Sequence, residues 1–364
     1  PGDATGMFAL ESAMDELAYS MDIDPLEFRI RNHAQLDMER NLPWSAKGLL
    51  ACYENGAAKF GWKNRSLKAR SMTHQGMLVG YGMASSLYGY HRHPSRAGVL
   101  LQSDGSIVVQ SATMDIGPGT GTAMTRIAAK VLGVSPKKIR FESGDSSLPD
   151  APGQNGSSTI PSVGSAVHVA CETLKKKLAE LARAMPNPDT ASYTDILQYH
   201  HLPHLEVTEE SKSGAERDQY SMYSFGCHFV EVHVSPITGE VTVKRVVTCA
   251  DVGKIINYKT ARSQSIGGVV GGIGMALMEA AVMDHRYGRY VTQDFAHYHI
   301  PVHADIPQID VMYIDQADTY ANPIGAKGLG EIAIVGVAAA VANAVFHATG
   351  KRIRELPITV EKLV

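Results

Sequence analysis

The 364-residue chain has only four cysteines, Cys52, Cys171, Cys227 and Cys249, all far apart. Without a C-x-x-C pair it has no local frame for an iron–sulfur cluster or a thiolate zinc site. Long apolar runs are also missing. No unbroken stretch reaches the ~18 residues of a membrane-spanning helix, and the start has no basic region leading into an apolar one. Nor is there a basic excess: 34 Lys and Arg stand against 37 Asp and Glu, which removes the electrostatic footprint of a nucleic-acid binder. The one dense basic run, Lys175-Lys176-Lys177, follows an apolar helical stretch and is expected to be a solvated helix face. What the chain does have is glycine, 34 residues of it, with 44% hydrophobic and 20% charged residues. That is the balance of a folded protein, long enough for two domains or subdomains.

Hydrophobic periodicity predicts an opening helix through Met7, Leu10, Met14, Leu17 and Met21, then a second helix capped at Asp24-Pro25-Leu26-Glu27 and running to about Ala34. A third helix is expected over Ser45 to Phe60. Alternation then predicts strands at Met77–Tyr88, Ala97–Gln102 and Ser106–Ser111, the last two paired across Ser103-Asp104-Gly105, and a hairpin of Gly226–Ser235 with Glu240–Ala250. Helices are expected at Gly121–Leu132, Gly164–Met185, Ser263–Ala281 and Val335–His347. Pro186-Asn187-Pro188 and the polar run Thr208–Asp218 resemble linkers. They suggest a helical segment over 1–75, one α/β subdomain over 76–207 and a second over 208–364. Pro1-Gly2-Asp3 enters a helix with no initiator methionine, so a longer parent protein is expected.

The recurring unit is strand, glycine-rich turn, helix, the arrangement that brings backbone N–H groups to a ligand. In Gly117-Pro118-Gly119-Thr120-Gly121-Thr122 the glycines suit a phosphate or heterocycle edge, or merely a strand-to-helix turn. Gly153-Gln154-Asn155-Gly156-Ser157-Ser158-Thr159 offers amides and hydroxyls, or is an ordinary polar loop. Gln264 begins a helix carrying five glycines through Gly274, which demands a close neighbour, either another helix or a cofactor along its first turn. In Gly325-Ala326-Lys327-Gly328-Leu329-Gly330-Glu331, Glu331 is either a general base, its pKa raised in a dry pocket, or a helix-start charge. Lys327 could pair with it or with a bound anion. Tyr88, Tyr90, His91, Arg92 and Arg96 either line a substrate mouth or cap a sheet edge. His200, His201 and His204 invite a metal, but Pro203 prevents a regular helical presentation.

Together these turns and the opening Pro1-Gly2-Asp3-Ala4 resemble, nearly end to end, the molybdenum-cofactor-binding subunit of the xanthine dehydrogenase and aldehyde oxidoreductase family. The resemblance implies an α+β, mixed α/β fold of two elongated subdomains of sheets with packed helices. It implies a molybdopterin cofactor, in bacteria as its cytosine dinucleotide, enclosed with a missing N-terminal half of the same subunit. An arginine that the family carries just before the Pro1-Gly2 match is absent here. Carried over by position, Glu331 is the catalytic glutamate, Gly117 with Gly119 holds the pterin by backbone, and Ser157, Ser158 and Thr159 meet the phosphate region. Gln264 hydrogen-bonds the pterin, while Lys327 and Gly330 precede the glutamate. Pro118 stands where the family often has glutamine. Tyr90, Arg92 and Arg96 are the candidates for the substrate pocket.

The implied reaction is hydroxylation of an aldehyde or N-heterocycle with water as oxygen source and Glu331 as general base. No protein residue ligates the metal directly. Iron–sulfur (2Fe-2S) and FAD subunits are the implied partners. The implied compartment is the bacterial cytoplasm, or the periplasm if a partner carries an export signal. The fragment alone is expected to be inactive. Two rivals stand beside this. One is a non-catalytic binding or assembly module that keeps the fold, suggested by Pro118 and the missing half. The other is a nucleotide-dependent dehydrogenase, disfavoured because no complete G-x-G-x-x-G opens a βαβ unit.

Overall fold

The computed structural model describes residues 2–364, so Pro1 lies outside the described residues. Two sheets organise the chain. The larger runs in the order Gln308–Tyr313, Val241–Asp251, Tyr223–Val234, Met77–Gly89, Thr73–His74. All its pairs are antiparallel except the parallel pair of Val241–Asp251 with Gln308–Tyr313. The smaller runs Ile139–Glu142, Ile107–Gln110, Ser95–Gln102, His204–Ser211. The helices Thr120–Leu132 and Ser165–Ala182 cover one face of it in a core of Val, Leu, Ile and Ala side chains. The expected mixed α/β architecture is therefore present, with both foreseen hairpins in register.

The division into sheets does not follow the expected division along the chain. A boundary at 207/208 cuts the strand His204–Ser211, and Met77–Gly89 on one side of it pairs along its length with Tyr223–Val234 on the other. The polar run from Thr208 looks like a linker because its strand lies at a sheet edge, where only Val207 and Ser211 turn fully inward. Further elements went unforeseen, among them the short strand Ile139–Glu142, the helix Tyr193–Tyr199 and the outer strand Gln308–Tyr313, which lacks a fully buried residue. The third helix starts at Leu49 rather than Ser45, because Ser45 is tied by its hydroxyl to Asp318.

Around the larger sheet the packing is set by missing side chains. The helix Val337–Thr349 is mostly alanine and valine and lies directly on Met77–Gly89. A Cβ on Gly82 would come within 2.2 Å of the Ala344 nitrogen, and one on Gly80 within 1.9 Å of the Ala344 oxygen. On its other side, the helix Tyr258–Leu277 presents Gly268 to Ala333 and Gly272 to Val337, where added Cβ atoms would meet side chains at 2.8 and 2.5 Å. Gly268 and Gly272 thus serve close packing, whereas a Cβ on Gly267 would meet nothing within 4 Å.

Ion pairs lock the opening helix Gly2–Ser20 onto this assembly. Arg29 meets Glu11 at 2.7 Å and Arg352 meets Asp15 at 2.6 Å, with both carboxylates buried. Asn343, within the alanine helix, donates to the carbonyls of Glu11 and Met83. Two histidines are buried among these contacts. His347 accepts the Tyr81 amide on Nδ1 and donates from Nε2 to the Ser66 carbonyl, while His228 Nε2 donates to the Val335 carbonyl. Burial holds both down to about 4 from the ordinary 6.5.

Between those values the unfolded chain takes up protons that the folded chain refuses, so stability is full above ordinary histidine pKa and falls with pH below it. Denaturant titrations should show a loss approaching ~1.4 kcal/mol per pH unit for each histidine as pH drops from about 6.5 toward 4. In the same assay Gly82→Ala should cost about 3 kcal/mol or more, since its methyl meets backbone that has no rotamer to yield.

Candidate functional site

A cavity of about 500 Å³ lies where turns from the two sheets meet. The smaller sheet contributes 116–120 and 154–160, and the larger contributes 252–264 and 326–331. Of the residues singled out from sequence, Gly117, Gly119, Ser157, Thr159, Gln264, Lys327, Gly330 and Glu331 all line it. Residues more than 200 positions apart in the chain are thereby brought to one space. Ser158 is buried instead, its hydroxyl on the Asn155 carbonyl.

Glu331 stands in a turn before the final helix, which begins only at Val337 after Gly336 in a left-handed conformation. It is therefore no first-turn charge. Its amide donates to the Ser157 hydroxyl at 3.0 Å, and the same hydroxyl donates to Glu331 Oε2 at 3.2 Å. The Tyr88 phenol also donates to Oε2. Burial, then the adjoining carboxylate, pushes Tyr88 above the usual tyrosine range, so it remains a donor at any working pH. Ser157 itself has a positive φ of 55° and seats against Gly328 and Gly330, where Cβ atoms would fall 2.9 and 3.1 Å from its side chain. The glycines of this loop are there to admit Ser157.

Lys327 does not reach Glu331. Its ammonium is fully buried against Asp251 at 3.1 Å. Asp251 also accepts the amides of Gly48 and Gly253, and the Lys327 amide donates to the Val252 carbonyl. A Cβ on Gly253, which has φ 69°, would strike the Gly325 carbonyl. This pair staples the loop carrying Glu331 to the end of the strand Val241–Asp251. Gln264 adds a tie from the helix Tyr258–Leu277, donating to the Gly330 carbonyl at 3.1 Å. That helix starts at Tyr258, so Gln264 projects from its flank and not from its first turn. Asn257 caps it at the cavity wall by accepting the Lys259 amide.

The turn Gly117–Thr122 departs from its expected use. The amides of Gly117 and Gly119 donate to the Asp115 carboxylate at 2.9 and 3.3 Å, so the helix Thr120–Leu132 carries its own anion. Gln154 closes the turn, accepting the Ile116 amide and donating to Thr120. What Gly117 and Gly119 offer the cavity is surface without side chains.

Tyr90, Arg92 and Arg96 do not line the cavity. Tyr90 and Arg92 are buried, the phenol and guanidinium donating to the Ala321 carbonyl and the guanidinium also to Ser211. Arg96 borders a separate shallow polar hollow with Asp150 and Glu206. Beyond Gly89 the side chains at 90 and 92 turn inward and His91 and His93 outward. The residue that reaches Glu331 is therefore Tyr88, expected with the others only to line a substrate mouth or cap a sheet edge. His200 is spent on the Leu181 carbonyl. Among the described residues no three His, Cys, Asp or Glu side chains converge on a metal-ligating arrangement, and the four cysteines are free and buried. Apart from Lys254 and Lys327, whose ammonium groups pair with Asp315 and Asp251, the cavity's donors are neutral amides, hydroxyls and backbone, which suit a polar heterocycle.

Lys327→Met should cost about 3–5 kcal/mol by leaving Asp251 charged and unpaired in the interior. The loss should shrink when Asp251→Asn is added, as read from denaturant midpoints.

Residues 55–307 match the molybdopterin cofactor-binding domain model. The chain is 39% identical to the aldehyde oxidoreductase molybdenum-binding subunit PaoC of Escherichia coli K12, over all of this chain and 51% of that protein. It is 31% identical to the putative xanthine dehydrogenase molybdenum-binding subunit XdhA of the same organism, over 98% of this chain and 51% of the relative. The solved structure of aldehyde oxidoreductase from Desulfovibrio gigas superposes with a TM-score of 0.84 at 27% identity, covering 100% of this chain and 40% of that one. The chain thus spans about half the length of these relatives.

Proposed function

The chain belongs to the molybdenum-cofactor-binding, large-subunit family of the xanthine dehydrogenases and aldehyde oxidoreductases, and on that footing we propose that it is the second half of the catalytic subunit of a molybdenum hydroxylase. The substrate class is an aldehyde, with N-heterocycles as the alternative, oxidised with water as oxygen source. The likeness to the aldehyde oxidoreductase subunit is the stronger of the two. The observation that carries the proposal is the Glu331 carboxylate on the cavity wall, fixed by hydroxyl donors and with its neighbour lysine engaged elsewhere.

The group that fits the cavity is a molybdopterin, as its cytosine dinucleotide. When bound it supplies the redox centre and the activated oxygen. Gln264, Thr159 and the glycine surfaces at 117 and 119 would hold the heterocycle. The capped start of the helix Tyr258–Leu277, with Asn257, Thr260 and Lys254, would hold an anionic end through its dipole and N–H groups. Glu331 serves as general base, taking one proton as oxygen transfers to the substrate. The apolar cluster of Tyr88, Ala250, Val252, Ile255 and Ala261 around Leu329 and Ile332 keeps bulk water from its flank. The first half of the subunit would complete the enclosure, and iron–sulfur and FAD subunits would take the electrons, since this chain's cysteines are free and buried away from the cavity, with Cys52, Cys227 and Cys249 in one core.

The complete subunit, purified with its partners, should contain molybdenum and acid-released CMP in equal amounts. Glu331→Gln should keep both while turnover falls at least ~10²- to 10⁴-fold. Near-normal turnover in that variant would remove the base assignment, and the absence of both molybdenum and nucleotide from matured enzyme would leave a non-catalytic module.

A further inference from the structure

The hold on Glu331 is lopsided. Both side-chain hydrogen bonds that reach its carboxylate, from Tyr88 and Ser157, end on Oε2. Among the described residues no donor reaches Oε1. The two donors come from independent and rigid supports. Tyr88 lies near the end of the strand Met77–Gly89, buried among Ala250, Val252, Ile255, Ala261, Ile332 and Val335. Its phenol has no room to swing away. Ser157 is wedged in its left-handed conformation against the glycines of the Glu331 loop and is tied to the Glu331 amide as well.

We propose that Tyr88 is a positioning residue for the general base: with Ser157 it pins Oε2, so that Oε1 alone is presented to accept the proton. This rests on the assignment of Glu331 as base. A free carboxylate has two equivalent oxygens and rotates between them. One anchored by two donors on a single oxygen has a fixed direction of approach, the kind of orientation on which proton transfer depends. Tyr88 keeps its own proton throughout, held by burial and by the neighbouring negative charges of Glu331 and Asp3. It acts as a fixed donor and not as a proton source.

The other groups around the carboxylate do not duplicate this effect. From the helix Tyr258–Leu277 comes neutral Gln264, and from the turn before Thr159 come neutral Asn155 and Ser157. Within its own loop the Lys327 charge is taken by Asp251. From the opening helix Asp3 acts on Tyr88. His91 is exposed, its ring 6.1 Å from that of Tyr88, and on the cavity wall the Lys254 ammonium is paired with Asp315.

The test is Tyr88→Phe in the complete, cofactor-loaded complex, with Ser157→Ala beside it. With either donor removed, the acid limb of kcat/KM should move up by about one pH unit. At the pH optimum kcat should fall about tenfold, with molybdenum and nucleotide content unchanged. Independently of turnover, difference infrared spectra of the resting enzyme give the protonation midpoint of the carboxyl band that Glu331→Gln lacks. That midpoint should rise by the same amount in both variants. An unmoved infrared midpoint and acid limb, with kcat merely lowered, would overturn the clamp while leaving the base assignment intact. If Tyr88→Phe fails to assemble, Ser157→Ala decides by the same two readouts. A wild-type infrared midpoint unrelated to the acid limb would instead count against Glu331 as the base.

Discussion

The architecture depends on one close approach, that of the helix Val337–Thr349 to the sheet beneath it and the helix beside it. Backbone meets backbone at Gly80 and Gly82, and the notch at Gly268 and Gly272 receives Ala333 and Val337. Protein interiors pack too densely to absorb even one methylene at such points. With the helix seated, the residues just before it have little freedom. Gly336, whose added Cβ would lie 2.4 Å from the Ser85 carbonyl, turns the chain over the strand that carries Tyr88. Glu331 is delivered to the end of that strand as a consequence of packing several residues away.

Buried charge completes what packing begins. Asp251 and Lys327 sit with side-chain exposures of 3% and 0%, where an unpaired ion would be far more costly than a paired one. Their value lies in fixing a single arrangement of two loops: Asp251 gathers two amides besides the ammonium, and any other register would leave those groups unmet. The same logic holds at the opening helix, where Glu11 and Asp15 reach across to Arg29 and Arg352. Glu11 also accepts the Ser85 amide, so this distant helix bears on the strand that presents Tyr88.

Two helix starts face the cavity and are used differently. The turn leading into the helix Thr120–Leu132 has its amides answered by Asp115, which also accepts the Gly121 amide of the helix's first turn at 3.5 Å. The helix Tyr258–Leu277 is capped by Asn257, a neutral side chain, which leaves its positive end available to an anion. Glycine-rich turns that look alike in sequence thus divide into one that builds a wall and one that stands at a polar end of the site.

The sequence by itself determined the fold class, both hairpins, the main helices and most of the residues that line the cavity. Alternation and helical periodicity are local signals, and the glycine-rich turns required close neighbours whatever those proved to be. It could not reveal the edge strand His204–Ser211, whose polar faces mimic a linker, or the outer strand Gln308–Tyr313, whose partner lies some 60 residues back. Only the tertiary structure decided that Lys327 belongs to Asp251, that the Gly117 turn serves Asp115, and that Tyr88 rather than Arg92 meets Glu331. Those choices turn on which side chain faces inward once distant segments have packed, and on which charge finds a partner in the interior. Spacing along the chain does not encode either.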